Sequence, residues 1–294
     1  MNKKLPKLIV VIGATASGKS ELAREIASRF GGEIISADAR QVYRGMDIGT
    51  AKDTAPQHLV DIRHPDEPYT VADFQHDAIA VIRDIHARGK LPILVGGTGL
   101  YVNAVVDNLT IPKVTENPEL RKRLEEKSAD ELLMMLNVRD PHAASLIDPH
   151  NKRRIIRALE IIETTGSLNR TKGEPLFDTL MLGITIPREE LYQRINARVD
   201  SMMQEGFLNE VRALLQKYPP SAKAFDAIGY RELIAWITSG EKEPLETIAE
   251  KIKSATRAYA RRQLTWWRHD EKVQQITTKE EAIDLISKNL LSQP

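Results

Sequence analysis

Residues 7–20 read KLIVVIGATASGKS, an apolar run that breaks at a glycine and resumes as the start of a charged helix. The spacing Gly13-x4-Gly18-Lys19-Ser20, set between a strand and a helix, is that of a P-loop. Its glycines let the backbone N–H groups along Gly13, Ala14, Thr15, Ala16, Ser17 and Gly18 face phosphate oxygens. Lys19 adds a point charge, Ser20 supplies a hydroxyl for Mg²⁺, and the N-terminus of the following helix favours an anion. A bound diphosphate or triphosphate follows from this stretch. What is done with it does not.

Outward from the loop the chain alternates between two periodicities. GKSELAREIASRF (18–30) continues as a helix closed by Gly31-Gly32, and EIIS (33–36) is a second strand, followed at once by Asp38. Val71, Phe74, Ala78, Val81, Ile82 and Ile85 recur at helical spacing up to Gly89. LPILVGG (91–97) is a third buried strand, and TGLYVNAVV (98–106) opens another helix. Strands alternating with helices predict a parallel sheet with ligands at the carboxyl ends of its strands. The P-loop, Asp38 and Thr98 all fall at that edge.

From about Pro112 the texture changes. Residues 116–166 carry helical patterns, many charges and no good strand, with Pro118, Pro141 and Pro149 as punctuation, before DTLMLGITIP (178–187) returns as a strand. The predicted fold is α/β, a P-loop NTPase-like parallel-sheet core with a helical insertion domain. Its divisions are 1–111, 112–178 for the insertion, and 179–294 for the return to the core. Helices are expected over 188–206, 208–218, 228–238 and near 244–268.

Composition narrows the chemistry. The chain has 294 residues, 41% of them hydrophobic, and no cysteine, which excludes disulfides and thiolate metal sites. The seven histidines are scattered without an HExxH pair. No stretch approaches the ~18 apolar residues of a membrane span, and the short apolar run after MNKKLPK reads as a buried strand rather than a leader. A soluble cytoplasmic protein is the expectation. Net charge is only +1, so any polyanion must be gripped by local basic patches: RKR (121–123), NKRRIIR (151–157) and TRAYARR (256–262).

The companion expected of a motor NTPase, an apolar strand ending in a Mg²⁺-binding aspartate, is missing; HLVDI with Asp61 is a poor substitute. Asp38 is read either as a Mg²⁺ ligand or general base, or as an ordinary turn aspartate. GGT brings two flexible backbone positions and the Thr98 hydroxyl to the same cleft, or is simply a strand-to-helix turn.

The stretch SADARQVYRGMDIGTAK (36–52), taken with GATASGKS, GGTGLY (96–101), RRIIRALE (153–160), AIGYRE (227–232) and TRAYARRQLTWWR (256–268), resembles the bacterial tRNA dimethylallyltransferases. The resemblance runs in register from about residue 7 to 268. It implies transfer of a dimethylallyl group from dimethylallyl diphosphate to N6 of the adenosine 3′-adjacent to the anticodon, in tRNAs reading codons that begin with U. It casts Lys19, Ser20, the loop amides, Arg198 and Mg²⁺ as diphosphate binders, with Asp38 a possible second Mg²⁺ ligand. Asp38 becomes the general base and Thr98 the donor to the bridging oxygen. Contacts to the tRNA anticodon stem-loop are implied for Asp38, Ala39, Arg40, Gln41, Thr98 and Arg121. They are also implied for Arg153, Arg154, Ile155, Ile156 and Arg157, and for Asp226, Ala227, Ile228, Gly229, Tyr230 and Arg231. Taken as bare sequence, RRIIRALE is an amphipathic helix with a solvated basic face. Ala39 stands where the family usually has serine, and Ala14 where it has proline. The expected partners are tRNA and dimethylallyl diphosphate, with no membrane, and the chain acting as a monomer. A P-loop kinase, an isopentenyltransferase acting on free nucleotides, and a noncatalytic ATP-binding RNA adaptor are the competing readings.

Overall fold

The computed structural model describes residues 5–112, 114–168 and 171–291, which form two compact units: Met1–Val106 with Pro175–Pro294, and Asp107–Glu174. In the first unit β1 (Lys7–Ile12) leads through the glycine loop into α1 (Lys19–Phe30), and β2 (Gly32–Ser36) follows. After a long loop come α2 (Val71–Ala87), β3 (Leu91–Gly96) and α3 (Gly99–Val106). The second unit holds α4 (Pro118–Glu125), α5 (Ala129–Arg139), α6 (Pro141–Leu146) and α7 (Lys152–Thr165). The chain re-enters the sheet as β4 (Asp178–Ile184) and continues as α8 (Arg188–Gln204), α9 (Phe207–Leu215), α10 (Tyr230–Thr238) and α11 (Leu245–Trp267). It closes with β5 (Val273–Ile276) and α12 (Lys279–Leu291).

The sheet is wholly parallel, in the order β2-β3-β1-β4-β5. The strand with the P-loop is therefore central, and its alternation divides the core into two layers. Leu8, Val10 and Ile12 pack with Phe74, Ile82, Val102 and Val105 of α2 and α3. Ile9 and Val11 pack on the other side with Leu22, Ile26, Ile283 and Ile286 of α1 and α12. A third cluster joins Val42 and Met46 to Phe207, Val211, Tyr230, Leu233 and Ile252, so α8 to α11 add a helical layer beside the long loop after β2. No described helix is long and apolar enough to cross a membrane.

β5 and α12 were not expected as separate elements. Residues Val273–Ile276 read VQQI, and both glutamines are exposed on an edge strand of four residues. So short and polar a stretch has no period to detect; pairing with β4 makes it a strand.

The helical unit follows its capping signals. The Asn117 side chain accepts from the Leu120 amide ahead of Pro118, and Ser128 forms a capping box with Glu131. Asp140 caps α6 ahead of Pro141, which sits where a missing N–H costs nothing. Ile155 and Ile156, expected to touch tRNA, lie at 0% and 5% exposure in a core with Leu120, Leu132, Leu136 and Leu159. Their apolar side chains face inward, because α7 must bury one stripe to be stable. Only its other face, with Arg153 and Arg154, is exposed.

Arg121 and Arg157 are also less free than a basic patch implies. Both pair with Glu160, whose side chain is 1% exposed. Arg121 donates two hydrogen bonds to it, at 2.8 and 3.0 Å, and the Asn117 amide adds a third at 2.6 Å. Burial would raise the Glu160 carboxyl, but these bonds hold it below the ordinary carboxylate range. Arg121→Ala should therefore destabilise the helical unit by about 1–3 kcal/mol, the cost of stripping partners from a buried acceptor. Urea unfolding measures it. A loss under about 0.5 kcal/mol, within the range of ordinary surface substitutions, would mean that Arg157 and the amide suffice alone.

Candidate active site

Three strand ends of the parallel sheet deliver the site. Beyond β1 the loop bends at Ala16, which holds φ 63°, and at Gly18, which holds φ 91° at the N-terminus of α1. A left-handed alanine costs about 1–2 kcal/mol, a strain that recurs where a loop is shaped for a ligand. Beneath the loop the Lys19 ammonium donates to the Ala14 carbonyl at 2.6 Å. Burial, reinforced by the nearby Arg198 charge and opposed by Asp38, draws Lys19 down to about 8. Arg198 is itself lowered by burial and pulled back up by Asp38.

Beyond β2, Asp38 forms an Asx-type turn: its Oδ1 accepts from the amides of Arg40 at 2.8 Å and Gln41 at 3.3 Å. The turn-aspartate reading is thus correct as geometry, and the turn itself restrains a carboxylate that lines a cavity. That cavity, of about 360 Å³, is lined by Thr15, Asp38, Ala39, Arg40 and Thr98, with Arg198, Asp226, Ala227, Ile228 and Arg231. Its apolar wall comes from Ile195, Val199, Met202, Phe207 and Ile252. Ala16, Ser17, Gly18, Lys19 and Ser20 line an adjoining groove, and Arg198 borders both spaces. All of these residues belong to the sheet-bearing unit.

Several residues expected to face tRNA are committed inside the protein instead. The Gln41 amide donates to the Thr50 and Ala51 carbonyls at 3.2 and 3.4 Å, and its oxygen accepts from the Ser36 hydroxyl at 2.8 Å. The Arg40 guanidinium donates to the carbonyls of Lys223 and Ala224, tethering the turn that leads to Asp226. Tyr230 is fully buried, and its hydroxyl donates to Glu210 at 2.5 Å. Gly229 leads into α10 at φ 90°. Gln41 and Tyr230 are given over to these internal bonds, whereas Arg40 also lines the cavity. Arg121, Arg153, Arg154 and Arg157 belong to the helical unit described above.

Sequence reasoning missed two connections. Glu210 of α9 accepts the consecutive amides of Asp47, Ile48 and Gly49 at 2.9, 2.7 and 3.2 Å. It thereby fastens the loop that contributes Gly49 and Thr50 to the cavity, and together with burial it raises the Tyr230 hydroxyl well above its ordinary value. Tyr259 of α11 lines the cavity together with Thr98, and its hydroxyl is raised by burial and by the Asp38 charge. The interleaving of basic and aromatic residues in TRAYARRQLTWWR hints at Tyr259. Nothing in the sequence marks Glu210.

The fit of Mg²⁺ can be tested on donor chemistry. Among the described residues no group of three or more His, Cys, Asp or Glu is placed to hold a metal. Ser20 is exposed in the groove beside Lys19, with Asp53 across it, although Asp53 is occupied by Arg24 and by the Ala55 amide. One hydroxyl suits an ion that keeps several waters and takes its remaining ligands from substrate phosphates. The residues fit Mg²⁺ delivered with a diphosphate, not a resident metal cage.

The lowered Lys19 generates a pH dependence. A bound diphosphate favours the ammonium, so binding takes up a proton wherever the free lysine is neutral. Affinity for an unreactive alkyl diphosphate should be level below pH 8. Above it, affinity should fall, approaching tenfold per pH unit. Calorimetry across pH 7–9.5 measures this, and Lys19→Met should both weaken binding and flatten the profile. An unchanged affinity up to pH 9.5 in the wild type would remove Lys19 from the phosphate site.

Comparison with known proteins gives a consistent outcome. The IPP transferase family model matches residues 41–270. The tRNA dimethylallyltransferase of Thermomicrobium roseum is 46% identical over 288 residues, covering 93% of this chain and 87% of that protein. That of Symbiobacterium thermophilum is 46% identical, covering 92% and 88%. Among solved structures, the tRNA isopentenylpyrophosphate transferase of Bacillus halodurans superposes with a TM-score of 0.72 at 40% identity, over 97% of this chain and 95% of that one. A eukaryotic dimethylallyltransferase acting on tRNA superposes at 0.79 with 29% identity, over 98% and 80%. On identity and coverage alike, the chain belongs to the IPP transferase family and is a transferase.

Proposed function

We infer that this chain transfers the dimethylallyl group of dimethylallyl diphosphate to N6 of the adenosine 3′-adjacent to the anticodon of tRNA. The observation that carries the reading is the meeting of Thr15, Asp38, Thr98 and Arg198 around one cavity, with Arg198 continuing into the P-loop groove. A phosphate cradle opens directly beside a carboxylate, and no second nucleotide pocket is needed. The family supplies tRNA as the acceptor.

In the step itself, the N6 lone pair forms a bond to the first carbon of the allyl group. The carbon–oxygen bond to the diphosphate breaks, and its electron pair leaves with the diphosphate. An exocyclic amine conjugated with a purine is a weak nucleophile, so the N6 proton must be taken as the bond forms. Asp38 is the cavity-lining carboxylate for that role. The Asx turn holds Oδ1 with two amides, which supports this role by restricting the carboxylate. Thr98 donates to the bridging oxygen, while Lys19, the loop amides and Arg198 meet the charge growing on the departing group. Mg²⁺, held by Ser20 and the phosphates, would neutralise further charge there. The apolar wall of Ile195, Val199, Met202 and Ile252 keeps water from the allylic carbon. The adenine reaches the cavity only if it is splayed from the anticodon loop.

The experiment is incubation with dimethylallyl diphosphate, Mg²⁺ and unmodified tRNA, followed by nucleoside mass analysis, with ATP plus small acceptors and free adenine nucleotides alongside. A dimethylallyl adduct on tRNA is expected, lost on addition of EDTA. Phosphorylation of a small acceptor, or alkylation of free nucleotides alone, would replace the reading. Asp38→Asn should lower the single-turnover rate by ~10²–10⁴, the range of general-base catalysis, with tRNA affinity nearly unchanged. A mutant as fast as wild type would deny Asp38 the role of base.

The exposed basic face of α7 carries the remaining expectation. Arg154→Ala should weaken all substrate tRNAs alike and flatten the log–log salt dependence by about one unit, the signature of one lost phosphate contact. Filter binding at graded salt measures it. An unaltered slope would leave that face merely solvated.

A further inference from the structure

Gln263 lies on α11 with 6% exposure and reaches both loops that frame the cavity. Its Oε1 accepts the Thr15 N–H of the P-loop at 2.8 Å, and its Nε2 donates to the Gly97 carbonyl at 3.0 Å. Those partners are 248 and 166 residues away in the chain. A neutral primary amide offers an acceptor and a donor side by side, and Gln263 uses both. A Cβ on Gly97 would stand 2.1 Å from Nε2, so the side chain of Gln263 fills the space that any larger residue at 97 would need. One turn earlier on the same helix, Tyr259 lines the cavity, as does Thr98, the neighbour of Gly97.

The loops lie beyond the ends of β1 and β3, where the ladder pairing Ile12 with Gly96 stops. Nothing in the sheet fixes their separation past that point. Yet a departing diphosphate must be met by the amides of one loop and the Thr98 hydroxyl of the other. We propose that Gln263 is a positioning residue that sets the spacing between the P-loop and the Thr98 loop, so that both engage the leaving diphosphate together. The proposal rests on the alkyl-transfer reading, and it adds to the loop, base and arginine a residue that touches no reacting atom.

The test uses two variants of the full chain. Gln263→Met keeps length and volume but offers neither hydrogen bond. Its single-turnover transfer rate should fall about 10²-fold, the loss that follows a misplacement of roughly 1 Å, with tRNA affinity unchanged. The Thr15 amide should exchange with deuterium faster, and binding of inorganic pyrophosphate with Mg²⁺ should weaken about tenfold. Gln263→Glu separates positioning from simple packing. The neutral acid restores both bonds, whereas the carboxylate has no proton for the Gly97 carbonyl. Its rate, divided by that of wild type at each pH, should therefore rise as pH falls from 8 to 5.5. The charged groups near the helix and loops, Lys19, Arg262 and Asp38, are common to both proteins, so the ratio removes their titration. A Gln263→Met variant within twofold of wild type, or a Gln263→Glu ratio flat with pH, overturns the proposal. Should the wild type fail to alkylate tRNA, the functional reading falls. Thr15 exchange and pyrophosphate binding then decide the role of Gln263: unchanged in Gln263→Met, they refute it.

Discussion

The segment from Lys7 to Phe30 places a strained glycine-containing loop and a buried cation at the end of the central strand of the sheet. The central strand β1 has Leu8 to Ile12 wholly buried, so its end cannot drift. The loop then accepts a left-handed alanine at Ala16 and hands over to α1 through a left-handed glycine. Lys19 donates to the Ala14 carbonyl of the same loop, and burial lowers its proton affinity. The loop thus combines backbone strain with a desolvated cation, the two features the proposed reading assigns to a diphosphate. The remaining elements serve to bring a carboxylate, a hydroxyl and a second cation to the same place.

That gathering relies on hydrogen bonds between distant parts of the chain more than on the sheet. Glu210 closes over three consecutive amides of the loop after β2 and is itself met by Tyr230. Gln41 joins that loop to Ser36 at the end of β2, while the turn at Asp38 takes the Gln41 amide. The carboxylate is thereby linked, through a series of hydrogen bonds, to helices α9 and α10. A change at Glu210 would reach Asp38 through this chain without touching substrate.

Much of this was legible in the sequence because it is local. The first four strands have apolar runs or breakers at their ends, and the P-loop is specified by residues within a few positions of each other. Asp38 and Thr98 could be placed at the cleft because a parallel sheet sends its strand ends to one edge. The missed features are non-local. VQQI becomes a strand only through β4, and Glu210 and Gln263 act on residues more than a hundred positions away. Likewise, a basic or polar residue in a family motif does not declare whether it faces solvent. Arg40, Gln41 and Tyr230 make internal hydrogen bonds, and Arg121 and Arg157 neutralise a buried glutamate.

The same geometry bears on why a phosphate cradle can serve alkyl rather than phosphoryl transfer. A kinase must bring its acceptor to the terminal phosphorus, so the space beyond the loop has to be polar and open to a hydroxyl. Here that space is a cavity in which Ile195, Val199, Met202, Phe207 and Ile252 stand with polar residues that include Asp38, Thr98 and Arg198. The aliphatic part of that lining offers no donor for the equatorial oxygens of a phosphoryl group. It suits a branched five-carbon chain, whose attacked carbon lies one bond from the bridging oxygen. The charge that develops in either reaction is met by the same lysine and amides. Under the alkyl-transfer reading, what differs is which side of the bridging oxygen faces the carboxylate of Asp38, and attack on that side breaks the bond at carbon.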